Sequence, residues 1–352
     1  MWRQVACSHR ILPGGWEQNG VKQLGLDLGS SNTRIVTKEK GIELLSPTAA
    51  AFEKKSGRMV AIGAGARRML GKTPVGIEAI RPVQGGVIAE PEAATRMLRR
   101  YFKRLEAVSL FRRPDVIASV PCNINEVERR ALEDTIYDAG ARQVFIIEAP
   151  LAAALGAGLP VAGAKGSMIV NIGGGCTQAA VLSMGRIVIS DSLRVGGIDF
   201  DRAIVQYLRK KYELLCGELT AETLKIRIGS AWPKFDRGTY DVAGRDLGGG
   251  LTKTIKVSSA DICEALYGRL EQITAMVKTT LEETPPELAS DIYDSGIVLT
   301  GGGALLEGLP ELITRLTGIR TIRAKKAPDC VCRGIHWCLG NPAASRYIRY
   351  RA

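Results

Sequence analysis

The sequence predicts an α/β fold of two domains that are related by duplication. With 352 residues, of which 45% are apolar and 24% charged, the chain can bury a full core and exceeds the length of one ordinary domain. A pattern of strand, glycine turn and strand begins at Val21 with VKQLGLDLG and TRIVTK, and it returns from Ser167 in SMIVNIGGGCTQAAVLSMG. Helical segments follow both copies, so we expect mixed α/β layers in two similar halves.

Further elements follow the two glycine hairpins in a regular order. The first half continues with a helix from Glu92 to Leu105, the strand DVIASVP, the helix NINEVERRALEDTIYDAGA, the strand QVFIIEAP and the helix LAAALGAGL. The second half continues with helices at Asp199 to Tyr212, Ala221 to Gly229 and Ala260 to Glu283, and then with the strand and glycine turn of SGIVLTGGGALLEGLPEL. Residues 1–20 lie outside this pattern, either as a disordered arm or as an over-long start.

Composition narrows the choice of partners and compartment. The 48 Lys and Arg residues exceed the 36 Asp and Glu residues by 12, which favours contact with a polyanion such as nucleotide phosphates, anionic lipid or nucleic acid. The chain lacks an apolar run long enough to cross a membrane, and its start lacks the pattern of a signal peptide. We therefore expect a cytoplasmic protein that does not span a membrane.

Eight cysteines are present, without the paired CxxC spacing of zinc sites or small disulfide scaffolds. Cys330, Cys332, His336 and Cys338 lie close together in sequence and leave a metal site open as an alternative. Reduced thiols in apolar surroundings are the simpler interpretation.

Three glycine turns, each directly after a strand, are the main functional signal. They are DLGSSNT at 27–33, NIGGGCT at 171–177 and TGGGALL at 300–306. Glycine lacks a Cβ and accepts positive φ, so backbone N–H groups in such turns can approach a phosphate closely. One such turn is weak evidence, because many hairpins use glycine for steric reasons alone. Three together indicate a phosphate-binding site.

This arrangement resembles the actin, Hsp70 and sugar-kinase superfamily from Val21 to about Gly340. Within that superfamily the chain is most similar to the MreB-type bacterial actins, through segments in the same order and spacing: LGLDLGSSNT, AIRPVQGGVIAE, SVPCNINEVERRALEDTIYDAGA, GAGLPV, RVGGIDFDRAI, TAETLKIRIGSAWP, TPPELASDI and VLTGGGALL. The resemblance implies an actin-like (ribonuclease H-like) duplicated fold with a nucleotide cleft between two domains. It places domain I at 21–153 plus 325–345, domain II at 154–324 and a tail at 346–352.

The resemblance also implies the cofactors, ATP and Mg²⁺, and the residues that bind them. The two hairpins would face the phosphates, the third turn the α-phosphate and ribose, and Glu222 with Lys225 the adenosine, although both could be ordinary residues of a helix surface. Asp27 would hold Mg²⁺ through water, or would only cap its turn. The implied cofactor-binding set is Asp27, Gly29, Ser30, Ser31, Asn32, Thr33, Gly173, Gly174, Gly175, Thr177, Gly197, Glu222, Lys225, Gly301, Gly302 and Gly303.

The chain departs from the family where hydrolysis depends on carboxylates. The family's IEEP segment reads IIEAP here, which leaves Ala149 in place of the Glu that positions the attacking water. DIGGGTTE reads NIGGGCTQ, with Asn171 in place of Asp, and Ile198 stands where GGDxFD has an Asp. Losing a group of the general-base type usually costs roughly 10²–10⁴ in rate. We expect ATP binding with weak or absent hydrolysis; slow hydrolysis through a water network stays open.

The segment AVSLFRRPDV lies where MreB-type proteins carry a membrane-inserting loop. Leu110 and Phe111 beside Arg112 and Arg113 would suit an anionic inner-membrane surface, whereas packing of the two apolar side chains in the core is the alternative. The resemblance further implies self-assembly into filaments and contact with membrane proteins of cell-wall elongation. A basic helix with interleaved aromatic residues is lacking, so nucleic acid is not an expected partner.

The predicted function is therefore a membrane-associated, ATP-binding filament protein that organises cell shape and wall synthesis. An active ATPase filament, or a bacterial actin that positions plasmids or organelles, remains an alternative. A sugar kinase or a chaperone fits less well, because neither a kinase-like substrate insert nor a substrate-binding region after the nucleotide domain is recognisable.

Overall fold

The computed structural model describes residues 21–109 and 112–350, in two α/β halves. In chain order the helices are α1 Ala64–Met69, α2 Pro91–Arg104, α3 Glu126–Asp138, α4 Ala149–Ala157, α5 Gly197–Tyr212, α6 Glu218–Ile228, α7 Ser259–Glu282, α8 Pro286–Ser295, α9 Leu309–Thr317 and α10 Cys330–Leu339. Short 3₁₀ helices span Gly303–Leu305, Ala327–Asp329 and Pro342–Tyr347. The strands are β1 Gln23–Leu28, β2 Asn32–Thr37, β3 Gly41–Pro47, β4 Ala50–Glu53, β5 Met59–Ile62, β6 Ile77–Ile80, β7 Val83–Gln84, β8 Val87–Ile88, β9 Asp115–Val120, β10 Gln143–Glu148, β11 Ser167–Ile172, β12 Thr177–Ser183, β13 Arg186–Leu193, β14 Leu214–Leu215, β15 Thr239–Asp246, β16 Thr252–Ser258, β17 Ile297–Thr300, β18 Thr321–Arg323 and β19 Arg349–Tyr350.

The central sheets of the two halves have the same topology, which confirms the predicted duplication. In the first, β1, β2 and β3 form an antiparallel meander, and β9 and β10 extend it in parallel from β1. In the second, β11, β12 and β13 form the meander, and β17 and β18 extend it in parallel from β11. The hairpin turns close alike: Gly29 N–H donates to Asn32 O at 3.1 Å, and Gly173 N–H donates to Cys176 O at 2.8 Å.

Two helices, α4 and α10, pack between the sheets and join the halves. At Gly334 an added Cβ would collide with the carbonyl oxygen of Ala152, and at Gly156 it would collide with that of Cys330. The helices therefore cross in backbone contact, which only glycine allows at these two positions. Their apolar side chains share one buried cluster with residues of both sheets, such as Ile117 and Ile169. Members of this cluster include Val36, Ile117, Phe145, Ile147, Leu151, Ile169, Ala180, Leu182, Cys330, Cys332, Ile335, Cys338 and Leu339.

The structure moves some predicted boundaries. Helix α5 begins at Gly197, before the predicted Asp199, because the Asp199 carboxylate accepts the Gly196 N–H and so caps the first turn. Ile198 is buried in that turn. The sequence predicts a separate tail at 346–352, but Arg349–Tyr350 form β19, which pairs with β10 and adds an edge strand to the first sheet.

Candidate nucleotide site

A cavity of ≈ 330 Å³ lies between the halves, where the three glycine turns meet. Parallel strands bring the turns that follow them to one edge of a sheet, so both hairpins and the third turn open on the same space. Most of the residues predicted to bind the cofactor line this cleft: Asp27, Gly29, Ser30, Ser31, Asn32, Gly173, Gly174, Gly175, Gly197, Glu222, Lys225, Gly301, Gly302 and Gly303.

The two hairpin tips contact each other at the floor of the cleft. A Cβ added to Gly174 would collide with the hydroxyl of Ser31, and one added to Gly175 would collide with that of Ser30. Gly86 N–H donates to Ser30 Oγ at 3.0 Å and holds the first tip in place. The arrangement brings the backbone of both hairpin tips and the hydroxyls of Ser30 and Ser31 to one spot, which suits a polyphosphate.

In the third turn, Gly301 has no room for a side chain. Gly301 has a φ of +82°, and a Cβ there would collide with the carbonyl oxygen of Ile172. Gly301 N–H donates to Ala327 O at 2.8 Å, which fixes the turn against the segment before α10. Positive φ and the close backbone approach together exclude a side chain at this position.

Two threonines predicted to bind the cofactor do not line the cleft. The Thr33 hydroxyl lies 2.8 Å from the Thr48 hydroxyl, and the Thr177 hydroxyl donates to Val195 O at 2.7 Å. Both residues are fully buried. Thr33 is the second residue of β2, and Thr177 is the first residue of β12. Successive side chains of a strand point to opposite faces of the sheet, and these two point into the protein interior.

Asp27 lies at the cleft floor with both carboxylate oxygens in contact with other side chains. Ser119 Oγ donates to Asp27 Oδ1 at 3.0 Å, and Arg34 Nη1 lies 3.7 Å from Oδ2. Burial raises the pKa of Asp27, while the Arg34 charge and the bond from Ser119 act to lower it. Neither Arg34 nor Ser119 was predicted as a site residue.

These residues do not fit the Mg²⁺ that the sequence predicted. Mg²⁺ in nucleotide sites is usually held by one or two carboxylates together with phosphates and waters. Here the Asp27 carboxylate faces a guanidinium, and at the matching position of the second hairpin Asn171 is uncharged and lies 3.4 Å from the Thr300 hydroxyl. Within residues 21–109 and 112–350, no group of three or more His, Cys, Asp or Glu side chains is placed to hold a metal, so the alternative metal site at Cys330, Cys332, His336 and Cys338 does not form.

Glu222 and Lys225 are cleft residues with specific partners. Arg67, from the first half, pairs with Glu222 across the mouth of the cleft. Lys225 Nζ lies 2.6 Å from Asp201 Oδ1 and donates to Gly197 O at 2.7 Å. Burial raises the pKa of Asp201 to about 7, against the lowering effect of the Lys225 charge. The alternative of two ordinary residues on a helix surface does not match this geometry.

Among the residues that the structure describes, every carboxylate that lines the cleft faces a cation, so none is free to position an attacking water. Ala149 lines it at the start of α4, whereas Glu148 is not among the lining residues and approaches Arg349 Nη2 at 3.9 Å on the sheet edge. The Gln178 amide accepts the Cys122 N–H at 3.3 Å. The carboxylates that line the cleft, Asp27, Asp201 and Glu222, each face a cation.

The predicted membrane loop falls partly outside the described residues, since Leu110 and Phe111 are not among them. Arg112 and Arg113 are exposed, and Ser109 N–H donates to Arg112 O at 2.9 Å. Among the helices of the described chain, none has the length and apolar character needed to cross a bilayer.

Comparison with known proteins adds independent observations. A profile of the family described as MreB/Mbl protein matches residues 21–346. The cell shape-determining protein MreB of Escherichia coli K12 is 46% identical over 316 residues, covering 88% of this chain and 91% of that protein. The crystal structure of MreB5 of Spiroplasma citri bound to AMPPNP has a TM-score of 0.86 at 36% identity, over 90% of this chain and 95% of that one. The MamK double helical filament, at 18% identity over 92% and 99% of the chains, has a TM-score of 0.76 and shares the fold. These likenesses confirm the predicted actin-like fold.

Proposed function

The chain belongs to the MreB/Mbl family, and from that membership we propose that it is an ATP-binding, filament-forming protein that determines cell shape. The observation that carries the nucleotide part is the contact of Ser30 and Ser31 with Gly174 and Gly175, which joins both phosphate hairpins at the floor of one cleft. The AMPPNP in the related MreB5 structure supports a nucleotide as the ligand.

A nucleotide in this cleft would contact both halves and so favour one relative arrangement of them. Ion pairs already span its mouth, where Arg67 pairs with Glu222 and Arg81 Nη1 lies 2.8 Å from Glu218 Oε2. Ligand that binds one arrangement more tightly shifts the population toward it. We propose that this closed arrangement is the one that assembles head to tail, and open-ended association of that kind gives filaments. The filament formed by MamK, which shares the fold, supports this proposal.

Assembly is expected to depend on bound nucleotide. Purified protein with ATP or AMPPNP should sediment as polymer and show filaments by electron microscopy, whereas nucleotide-free protein should stay in the supernatant. The physical reason is that bound nucleotide contacts both halves and shifts the population toward the arrangement that assembles. Equal sedimentation with and without nucleotide would contradict the proposed gating, and absence of polymer under all conditions would contradict the filament.

We further propose that ATP is hydrolysed slowly or not at all. Ala149 supplies no acceptor for a water proton, and the lining carboxylates Asp27, Asp201 and Glu222 are engaged by Arg34, Lys225 and Arg67. A general base contributes typically 10²–10⁴-fold to such a reaction. ATP would then control the conformation by binding, and its hydrolysis would be much slower than binding and assembly. A filament with ordinary ATPase activity is the competing proposal.

The proposed location is the cytoplasmic face of the cell membrane, where membrane proteins of cell-wall elongation would be the partners. Two exposed arginines, Arg112 and Arg113, adjoin Leu110 and Phe111, and the chain carries a net charge of +12. Basic residues beside apolar ones suit anionic lipid. Two apolar side chains bind weakly alone, so a filament that repeats them would provide the avidity.

Replacing Leu110 and Phe111 by serine is expected to reduce cosedimentation with anionic liposomes at least about tenfold, because each copy in a filament loses its apolar contact. Val75→Ser and Leu251→Ser are matched controls, since both are exposed apolar residues elsewhere on the surface. The controls should bind as the unmodified protein does. An equal loss in all variants, or none in the Leu110 and Phe111 variant, would contradict a membrane role for this loop.

A further inference from the structure

The guanidinium of Arg34 occupies an unusual position for a nucleotide site. Arg34 lies directly opposite Asp27 in the register of β1 and β2, and its side chain is 14% exposed and lines the cleft. Cross-strand partners direct their side chains to the same face of a sheet. The cation is therefore fixed at the floor of the cleft, beside the first phosphate hairpin.

Arg34 is held in place by two carboxylates and keeps unused bonding capacity. Its Nη1 lies 3.7 Å from Asp27 Oδ2 and its Nε lies 3.5 Å from Asp329 Oδ1. The buried Nε has no hydrogen-bond partner among the described residues. A guanidinium carries five N–H donors in a planar fork that matches phosphate oxygens. The buried Nε is closed to a ligand, but the side chain is partly exposed where it lines the cleft, and a phosphate at the cleft floor would meet the guanidinium there.

The surrounding charges favour this cation over a metal ion. Asp27 is the lining carboxylate of the first hairpin, and it already faces Arg34. The matching residue of the second hairpin, Asn171, brings no charge. A divalent cation at this point would be repelled by the guanidinium and attracted by a single carboxylate that is already paired.

We propose that Arg34 takes the place of the divalent metal, so that this chain binds ATP as the metal-free polyphosphate. The inference rests on the proposed nucleotide binding and specifies its chemistry: the ligand is a nucleoside triphosphate without a bound metal, and the Arg34 side chain offsets part of its negative charge. It also explains why the second hairpin has Asn171 in place of a carboxylate, because a site without a metal does not need a second carboxylate to order the metal.

The test is the affinity for a fluorescent ATP analogue, measured by anisotropy in EDTA and again in excess Mg²⁺. For the unmodified protein the two dissociation constants should agree within about threefold. Arg34→Met, which keeps the length of the side chain and removes its charge, should bind at least about tenfold more weakly in EDTA, the order expected for a lost charge-assisted hydrogen bond. Mg²⁺ should restore part of the affinity that Arg34→Met loses. The affinity of Arg34→Lys in EDTA should lie between those of the unmodified protein and Arg34→Met.

Arg194→Met is the matched control, since Arg194 pairs with Glu128 at 2.5 Å and does not line the cleft. Its affinities in EDTA and in Mg²⁺ should equal those of the unmodified protein. If the unmodified protein binds ATP at least about tenfold more tightly with Mg²⁺, the inference is overturned while nucleotide binding stands. If it binds under neither condition, the proposed function falls and the inference with it. The comparison on unmodified protein decides the matter even if Arg34→Met fails to fold.

Discussion

Restoring two carboxylates, by Ala149→Glu together with Asn171→Asp, is expected to raise the rate of phosphate release from bound ATP by roughly 10²-fold. Ala149 lines the cleft at the start of α4, so a glutamate there would project a carboxylate toward the space between the hairpins. The aspartate introduced in place of Asn171 would give the site a carboxylate other than Asp27, which Arg34 already pairs, and so a ligand for a divalent cation. Single-turnover phosphate release with Mg²⁺ present is the measurement.

The control for this variant is Ala149→Gln with Asn171 unchanged, which has nearly the same side-chain size at position 149 and no added charge. It should release phosphate as slowly as the unmodified protein, because an amide does not accept a proton from water. Rapid release by the unmodified protein, or an equal gain in the glutamine variant, would show that the missing carboxylates do not limit hydrolysis.

Replacing Gly301 by valine is expected to weaken ATP binding on the order of 100-fold, or about 3 kcal/mol. Gly301 has a φ of +82°, which a β-branched residue adopts only with strain, and a Cβ there would collide with Ile172 O. The third turn must move to relieve the backbone strain and the collision. Because this turn lines the cleft together with the two hairpins, its movement disturbs the binding site. Equilibrium binding of a fluorescent ATP analogue measures the effect.

Gly318→Val is the control that distinguishes the general effect of backbone strain from a specific effect on the cleft. Gly318 follows α9 with a φ of +73°, and an added Cβ there would meet nothing within 4 Å. This variant should lose some thermal stability and bind ATP as the unmodified protein does. Binding that survives Gly301→Val in a protein of normal secondary structure would remove the third turn from the site.

The sequence predicted the elements that depend on local pattern. Alternation of apolar residues identified the first hairpin, recurrence of its strand, turn and strand pattern identified the second, and the three glycine turns were found because close backbone approach excludes other residues. Strands β9 and β11 are buried on both faces, so they are mostly apolar and show no alternation. The turn residues on either side of them still predict strands. Recurrence of one pattern predicted the two similar sheets.

The residues that sequence reasoning missed depend on register and on distant contacts. Arg34 becomes a site residue only because β2 pairs with β1 so that it stands opposite Asp27; an Arg within an apolar strand was the available signal. Arg67 contacts Glu222, 155 positions away, and no local pattern encodes that distance. Thr33 was placed in the cleft because it adjoins the turn, yet strand alternation directs its side chain to Thr48.

The most direct test of the central claim is to follow ATP binding, polymer formation and phosphate release together in one sample of the unmodified protein with anionic liposomes. The claim is that the cleft uses ATP as a ligand that closes two halves into an assembling form. The expected result is saturable binding and assembly, with phosphate release lagging far behind both. Phosphate released in step with assembly, or assembly that AMPPNP cannot support, would contradict it.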